Sequence, residues 1–225
     1  MSAATSEQTI RVAAIVLAAG AGTRMGGAGK LLAETGGHPM VRHALEAACA
    51  SRAAGAFVVI GHDAGRVRSA LGPDGEQHGV TVVENPAYRR GLAGSLRAGL
   101  LALPAGIDGV VVLLGDMPRV QASHVDRLIE AFAASGRQAI CVPAHRGRRG
   151  NPVLWPAGLI AELAALEGDT GGRALFARHA GAVREIEMPD DAVLFDVDVP
   201  ADLARADLSV SPEPAQGPPS GRRGQ

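Results

Sequence analysis

The sequence contains few aromatic residues, and its positive and negative charges almost cancel. Phe, Trp and Tyr together account for 3% of the 225 residues, whereas apolar residues account for 47%. The core must therefore consist mainly of Ala, Val, Leu and Ile, which is typical of sheets covered by helices. A net charge of -1 excludes a global field that attracts nucleic acid or an anionic membrane, so any anion must be bound by locally placed charge.

Cysteines and long hydrophobic runs are also scarce. Cys49 and Cys141 lack C-x-x-C spacing, so the sequence predicts neither a zinc site nor a disulfide framework. No apolar run approaches the roughly 20 residues that are needed to span a bilayer. The N-terminal segment MSAATSEQTIR lacks the basic start and the apolar stretch of a signal peptide. We therefore expect a cytoplasmic protein that does not associate with a membrane.

The length of the chain and its Pro- and Gly-rich C-terminus indicate how it is divided. A chain of 225 residues can form one sizeable domain, which we place at residues 11–208. Residues 1–10 are expected to form an N-terminal extension. Residues 209–225 have no hydrophobic periodicity and are rich in Pro, Gly and Ser, so we predict a disordered tail there.

Predicted strands and helices alternate along most of the chain. Continuous apolar runs predict buried strands at residues 11–19, 56–62, 79–86 and 108–118. Apolar residues at helical spacing predict helices at residues 39–51, 94–103 and 123–135. Further along, we predict two strands joined by a basic turn at residues 138–156, helices at 159–169 and 172–181, and a final strand within 191–200. The alternation predicts an α/β fold with a doubly wound, mostly parallel sheet in three α/β/α layers.

The first predicted strand leads into a loop that has almost no large side chains, IVLAAGAGTRMGGAGK. Its small residues would let backbone N–H groups approach a phosphate closely; they are Ala18, Ala19, Gly20, Ala21 and Gly22. Arg24 and Lys30 add positive charge where a polyphosphate would lie. Leu31 follows Lys30 where an ATPase-type loop has a hydroxyl, and Met25 stands where a dinucleotide fingerprint has its third glycine. The loop therefore indicates a phosphate site of another kind, with an ordinary strand-to-helix turn as the alternative.

Carboxylates follow two other predicted strands. Asp116 comes directly after VVVLLG, and Asp196 and Asp198 lie two residues apart in FDVDVP. Carboxylates that meet beside a phosphate loop are the hard oxygen ligands that Mg²⁺ prefers, with phosphate oxygens and water completing its coordination. The alternatives are a helix cap for Asp116 and a solvated strand end for the other two.

Six segments in the same order resemble a known family: LAAGAGTRMGGAGKLL, NPAYRRGLAGSLRAGL, LLGDMP, GRRGNPVL, GDTGGRALF and DVDVPADL. Together they resemble the nucleotidyltransferases that join a nucleotide to molybdopterin, and within that family the molybdenum cofactor cytidylyltransferases. The resemblance extends from about Arg11 to Leu208. It implies a Rossmann-like fold of the nucleotide-diphospho-sugar transferase type. It also implies Mg²⁺-dependent transfer of CMP from CTP to molybdopterin, with release of pyrophosphate.

The resemblance also assigns roles to particular residues. Catalytic roles fall on Arg24, Lys30, Asp116 and Asp198, and Mg²⁺ is held by Asp116 and Asp198. The nucleotide is bound by Leu17, Ala18, Ala19, Gly20, Ala21, Gly22, Arg24, Lys30, Gly91 and Ser95. The acceptor is bound by Arg148, Arg149, Asn151 and Asp169, although the run HRGRRGNP could equally be a solvated basic hairpin. Ala19 indicates CTP, because similar family members with LAAG take CTP and those with LAGG take GTP.

Several alternatives stay open at this level. The segment MGGAGK has one more residue before Lys30 than cytidylyl members usually have, a spacing seen in guanylyl relatives. The same chemistry could therefore use GTP, or a sugar phosphate or alditol phosphate as acceptor. Outside this chemistry, the chain could be a carrier that delivers finished cofactor to a molybdenum hydroxylase, or an oxidoreductase recruited from the same fold. A molybdenum hydroxylase is in any case a candidate partner.

Overall fold

A central sheet of mostly parallel strands organises the molecule. The computed structural model describes residues 9–22, 29–76 and 79–206. The predicted tail, all but two residues of the predicted N-terminal extension, and Arg24 lie outside these ranges. The strands within these ranges are β1 (Val12–Ala18), β2 (Glu34–Thr35), β3 (His38–Pro39), β4 (Ala56–Ile60), β5 (Val80–Glu84), β6 (Gly109–Leu114), β7 (Ile140–His145), β8 (Arg148–Arg149), β9 (Val153–Pro156) and β10 (Val183–Glu187).

The strand order explains where a ligand site is expected. The large sheet runs β10-β7-β9-β6-β1-β4-β5, β8 pairs with β7, and β2 and β3 form a separate antiparallel pair. Within the large sheet, β9 runs antiparallel to β6 and β7, and β8 antiparallel to β7. The chain goes from β1 outward through β4 to β5 and then returns to β6 on the other side of β1. The order thus reverses between β1 and β6, and in open α/β sheets ligands bind beyond the carboxyl ends of such strands.

Helices cover both faces of the sheet. They are α1 (Met40–Ala50), α2 (Ala64–Ala70), α3 (Leu92–Leu101), α4 (Ala122–Ala134), α5 (Ile160–Ala164) and α6 (Pro200–Ala206). Side chains of β1 alternate between two cores, because successive residues of a strand point to opposite faces. Val12, Ala14 and Val16 pack with α1, α2 and α4. Ala13 and Ile15 pack with α3 and α5. The predicted three-layer α/β/α architecture is confirmed.

A close contact packs the C-terminal half of α3 against the middle of β1. A Cβ at Gly99 would lie 2.9 Å from Cγ2 of both Ile15 and Val59, so only glycine lets α3 approach β1 and β4 so closely. On the neighbouring strand, the Gly115 N–H donates to the Leu17 carbonyl at 3.0 Å. The segments that follow β1 and β6 therefore lie side by side.

The C-terminal third corrects several predictions. Residues 191–200 do not form a sheet strand: they contain a 3-10 turn, Ala192–Leu194, followed by an extended segment. The Val193 carbonyl accepts a hydrogen bond from Asn151 N–H, and Val197 N–H donates to the Asp116 carbonyl, so loops satisfy this backbone in place of a strand. The predicted helix at 172–181 is instead two 3-10 turns, Gly172–Leu175 and Ala180–Ala182, in a segment whose glycines disfavour an α-helix.

Several elements were not anticipated. Strands β2 and β3 are only two residues long, helix α2 is short, and strand β10 mixes charged and apolar residues at the edge of the sheet, where the sequence pattern is weak. Among the helices of the described ranges, none is both long enough and apolar enough to cross a membrane.

Candidate active site

The loop after β1 forms one wall of a cleft of about 580 Å³. The loop residues Ala19, Gly20, Ala21 and Gly22 line this first cleft. Gly22 has φ of +55°, and a Cβ there would lie 2.8 Å from Cβ of Lys30, so glycine is required at this position. A Cβ at Gly20 would meet no atom within 4 Å, so the backbone there borders open space. Predicted site residue Ala18 differs, because it is buried in the core behind the loop.

Lys30 joins the two carboxylates on which the predicted metal site depends. Its Nζ donates to Oδ2 of Asp116 at 2.8 Å and to Oδ1 of Asp198 at 3.0 Å. The Lys30 side chain is 10% exposed, that of Asp116 26% and that of Asp198 45%. Three predicted residues from three separate parts of the chain therefore meet at one point beside the bare loop.

The ammonium group of Lys30 balances part of the negative charge of this cluster. Burial alone would lower the pKa of the Lys30 ammonium, but its hydrogen bonds to Asp116 and Asp198 and their negative charges together raise that pKa above its usual range. Oδ1 of Asp116 is buried and has no hydrogen-bond partner among the described residues. The site thus already accommodates one cation and offers a further carboxylate oxygen that no described residue satisfies.

These observations fit a divalent cation. The donors are carboxylate oxygens, the ligands that Mg²⁺ and Mn²⁺ take, and an ammonium group already sits between them. Within the described ranges, no group of three or more His, Cys, Asp or Glu side chains could hold a metal ion. An ion held by Asp116 and Asp198 would therefore depend on substrate phosphate oxygens and water for its remaining ligands.

The segment that carries Asp198 is held from both sides. Val197 N–H donates to the Asp116 carbonyl at 3.1 Å, which ties the segment to the end of β6. Oδ2 of Asp202 accepts from the N–H groups of Asp198 and Val199 at 3.1 Å each, and these bonds lower the pKa of Asp202. Asp196 is largely exposed. Its partial burial and the nearby charge of Asp198 raise its pKa.

The first turn of α3 and the loop after α5 form the opposite wall of the first cleft. Gly91 has φ of +103°, and a Cβ there would overlap the carbonyl group of Gly168. Oδ1 of Asp169 accepts from Leu92 N–H at 3.3 Å. Asp169 therefore lines the first cleft and supports α3, and its role toward the acceptor stays a prediction. Ser95 also lines this cleft.

Sequence reasoning did not identify two residues of this wall, Tyr88 and Arg89. Both line the first cleft. The Tyr88 hydroxyl accepts from Nε of Arg89 at 3.2 Å and lies 3.3 Å from Nδ1 of His62. The segment NPAYRRG that contains them was part of the recognised pattern, but only the fold shows that these side chains turn toward the cleft.

A second cleft of about 290 Å³ adjoins the first. The two share Leu17, Leu92 and Leu114. The remaining lining residues of the second cleft are mostly apolar or glycine: Leu96, Val112, Asn151, Val153, Trp155, Gly171, Gly172 and Arg173. Trp155 is 2% exposed and stacks on Phe176 with ring centroids 5.4 Å apart. Of the predicted acceptor residues, Asn151 lines this cleft.

The predicted basic residues lie elsewhere. Arg148 and Arg149 form β8 and line neither cleft. Nε of Arg149 donates to Oε1 of Glu185 on β10 at 2.8 Å, so its charge is paired at the edge of the sheet. Arg173 is the cation that lines the second cleft, and its Nη2 donates to the Gly150 carbonyl at 2.9 Å.

Comparison with known proteins provides independent evidence. A model of the MobA-like NTP transferase domain matches residues 14–183. The chain is 38% identical over 142 residues to the bifunctional protein GlmU of Kineococcus radiotolerans, a match that covers 62% of this chain and 28% of that protein. It is 40% identical over 139 residues to the 2-C-methyl-D-erythritol 4-phosphate cytidylyltransferase of Streptomyces avermitilis, covering 60% of this chain and 54% of that protein. The matched region thus spans only part of these relatives.

The solved structure of Rv0371c from Mycobacterium tuberculosis is similar over most of its length. Its TM-score is 0.74 at 30% identity, covering 89% of this chain and 98% of that chain. The same protein has been solved in complex with manganese, with a TM-score of 0.71 at 29% identity, covering 89% of this chain and all of that one. The predicted fold of the nucleotide-diphospho-sugar transferase type is confirmed.

Proposed function

The chain belongs to the MobA-like NTP transferase domain family, and on that premise we propose that it is a metal-dependent nucleotidyltransferase. In its full form, the proposal is transfer of CMP from CTP to a molybdopterin-type acceptor with release of pyrophosphate. One observation carries the proposal of a transferase. Asp116 and Asp198 both accept hydrogen bonds from the Lys30 ammonium group, beside a loop of Gly and Ala residues. A cytoplasmic location and a molybdenum hydroxylase as recipient stay predictions.

The first cleft is the proposed nucleotide site. Its volume of about 580 Å³ lies within the usual range for small-molecule pockets. Backbone N–H groups of residues 19–22 can approach the triphosphate without steric hindrance, and Lys30 supplies charge. Arg24, in the same loop, is also proposed to supply positive charge to the triphosphate.

The reaction joins an oxygen of the acceptor's phosphate to the α-phosphorus of CTP. The bond from that phosphorus to the pyrophosphate oxygen breaks, and pyrophosphate leaves with the electron pair. Asp116 and Asp198 would hold the divalent ion, which supplies charge neutralisation on the phosphoryl oxygens when bound. Lys30 and the loop backbone orient the triphosphate and balance its charge. The similar Rv0371c has been solved in complex with manganese, which supports a divalent ion as a ligand of this chain.

Ala19 supports CTP as the nucleotide. A Cβ on Gly61 would lie 3.0 Å from Cβ of Ala19 and 2.6 Å from Cβ of Tyr88, so these three residues are packed tightly beside the first cleft. A methyl group at position 19 therefore occupies space at the cleft wall, which favours a pyrimidine over a purine. The cytidylyltransferase among the relatives supports the same choice.

The second cleft supports a planar, partly apolar acceptor. Asn151 and Arg173 are the polar side chains of its lining, beside Trp155 and several aliphatic residues. A polyhydroxylated sugar requires more hydrogen-bond partners than this set offers, because each buried hydroxyl that stays unpaired is costly. We propose that the heterocycle of the acceptor binds against the apolar wall of the second cleft. Its phosphate would then extend past Leu17, which lines both clefts, toward Asp116 in the first cleft.

Transfer to an alditol phosphate is the second candidate, favoured by the 40% identity to 2-C-methyl-D-erythritol 4-phosphate cytidylyltransferase. The test is pyrophosphate release with CTP, GTP or ATP, each combined with molybdopterin, 2-C-methyl-D-erythritol 4-phosphate or a sugar 1-phosphate. We expect turnover with CTP and molybdopterin. Preference for GTP would contradict the interpretation of Ala19. Turnover with an alditol or sugar phosphate would move the proposal to the second candidate or to a sugar-phosphate transferase.

A further inference from the structure

Lys30 holds the position that the proposed metal ion needs. Its ammonium group donates to Asp116 and Asp198 at 2.8 and 3.0 Å, and only 10% of its side chain is exposed. In this state, its two hydrogen bonds point to the carboxylates and not into the open part of the first cleft. Two of the three N–H donors of the ammonium group are thus committed to the carboxylates, which leaves at most one for a triphosphate.

The ammonium and a divalent ion also exclude each other. Both would contact the same two carboxylates, and two cations held that close together repel strongly inside a partly buried cluster. The bridge by Lys30 is moreover incomplete, because Oδ1 of Asp116 is buried and has no partner among the described residues. Buried carboxylate oxygens are normally hydrogen-bonded, so an Asp116 side chain with only one bonded oxygen is expected where the Lys30 ammonium occupies the site only temporarily.

The stem of Lys30 is close enough to the bare loop for the ammonium to change partners. The position of a Cβ on Gly22 lies 2.8 Å from Cβ of Lys30, so the loop backbone passes directly beside the stem. A lysine side chain has a flexible stem of four carbons, so its ammonium group can move while its backbone stays in place. The neighbouring loop is where the proposed triphosphate would bind.

We propose that Lys30 is an internal counter-cation that is exchanged for the divalent ion when the triphosphate enters. This inference rests on the proposed function. In the free protein, Lys30 keeps the two carboxylates together and blocks the metal. When a nucleotide binds, the triphosphate draws the ammonium away and the ion takes its place. The protein therefore binds metal weakly alone and tightly together with nucleotide.

The test measures two affinities separately, that for Mn²⁺ without nucleotide and that for CTP without metal. Mn²⁺ is followed by the electron paramagnetic resonance of the free ion, and CTP by calorimetry in the presence of EDTA. We expect Lys30→Met to bind Mn²⁺ about 10-fold more tightly than the wild type, a typical coupling between two sites, and CTP more weakly. A purely structural role of Lys30 would weaken both affinities.

Arg89→Met is the matched control, because Arg89 lines the same cleft but its Nε is bonded to Tyr88. Its Mn²⁺ affinity should equal that of the wild type. Lys30→Gln is a second variant, which should repeat the result of Lys30→Met. The inference is overturned if folded Lys30→Met binds Mn²⁺ no more tightly than the wild type, or if Arg89→Met gains as much. If instead Mn²⁺ binding changes as expected but no nucleotide is turned over, the proposed function fails and the exchange stands.

Discussion

The two adjoining clefts share three leucines but differ in most of their other lining residues. The first is bounded by glycine and alanine backbone with charged side chains, including Lys30 and Asp116, at its end. The second is bounded by large apolar side chains, with Trp155 as its buried wall. The difference indicates that the two clefts have separate functions. The first would bind the phosphates of the nucleotide, and the second would bind the acceptor. The difference also predicts that substitutions in the first change chemistry, whereas substitutions in the second change stability and acceptor affinity.

The strongest test of this division is Asp116→Ala. We expect the rate of pyrophosphate release to fall by about 10³-fold or more, because the proposed metal loses a ligand at the point where charge develops. A coupled pyrophosphate assay measures this rate, and thermal unfolding should show that the variant stays folded. Asp63→Ala, which removes a carboxylate paired with Arg66 on the surface, is the control. A noncatalytic carrier would keep its delivery of cofactor in the Asp116 variant.

Trp155→Leu tests the structural character of the second cleft. Loss of a side chain that is 2% exposed and stacked on Phe176 should lower the free energy of unfolding by about 3 kcal/mol. Urea denaturation measures this free energy. Leu92→Ala is the comparison in the same cleft, and since Leu92 is 37% exposed its loss should be clearly smaller. Equal losses would contradict the picture of a buried wall and an exposed rim.

Arg89 and Arg173 offer a crossed test of the two clefts. Arg89→Gln should raise the KM for CTP by about 10-fold and leave the KM for the acceptor unchanged, because one charged hydrogen-bond donor is lost from the first cleft. Arg173→Gln should do the reverse, since Arg173 lines the second cleft alone. Steady-state kinetics with each substrate varied in turn decides the matter. If both variants affect the same KM, the two clefts do not bind separate substrates.

The smallest expected effect concerns the charge around the first cleft. The pKa of Asp196 is raised, so its charged form is disfavoured in the folded state. The resulting penalty is present at neutral pH and disappears as the pH falls through the raised pKa and below the ordinary value. Asp196→Asn should therefore slightly raise the melting temperature at pH 7, and the gain should vanish below about pH 3.8. A gain that persists in acid would have another cause.

The first cleft could be predicted from the sequence because its chemistry lies in short contiguous segments. The bare loop, Lys30, Asp116 and Asp198 were identified, and the strand order brings them together. The second cleft could not be predicted in the same way, because its wall is assembled from side chains of β6, β9, α3 and the loop before residue 173. Arg148 and Arg149 were chosen for their charge, but only the fold shows that Glu185 pairs with Arg149 at the sheet edge.

The C-terminal segment FDVDVP is a second case in which the sequence did not predict which residues pack together. The alternation in FDVDVP predicted a strand, yet hydrogen bonds to Asp116 and Asp202 hold it as an extended segment outside the sheet. Asp198 was nevertheless identified, because the resemblance assigns it to the metal. The sequence thus identified this residue but not the partners of its segment.

The central claim is that Asp116 and Asp198 together bind one divalent ion at the nucleotide site. The most direct measurement is anomalous X-ray scattering from crystals of the protein with Mn²⁺ and a nonhydrolysable CTP analogue. We predict a manganese peak between the two carboxylates, with the triphosphate bound at the loop after β1 and Lys30 moved onto it. A manganese peak away from these carboxylates, or a lysine still bridging them beside bound nucleotide, would contradict the account.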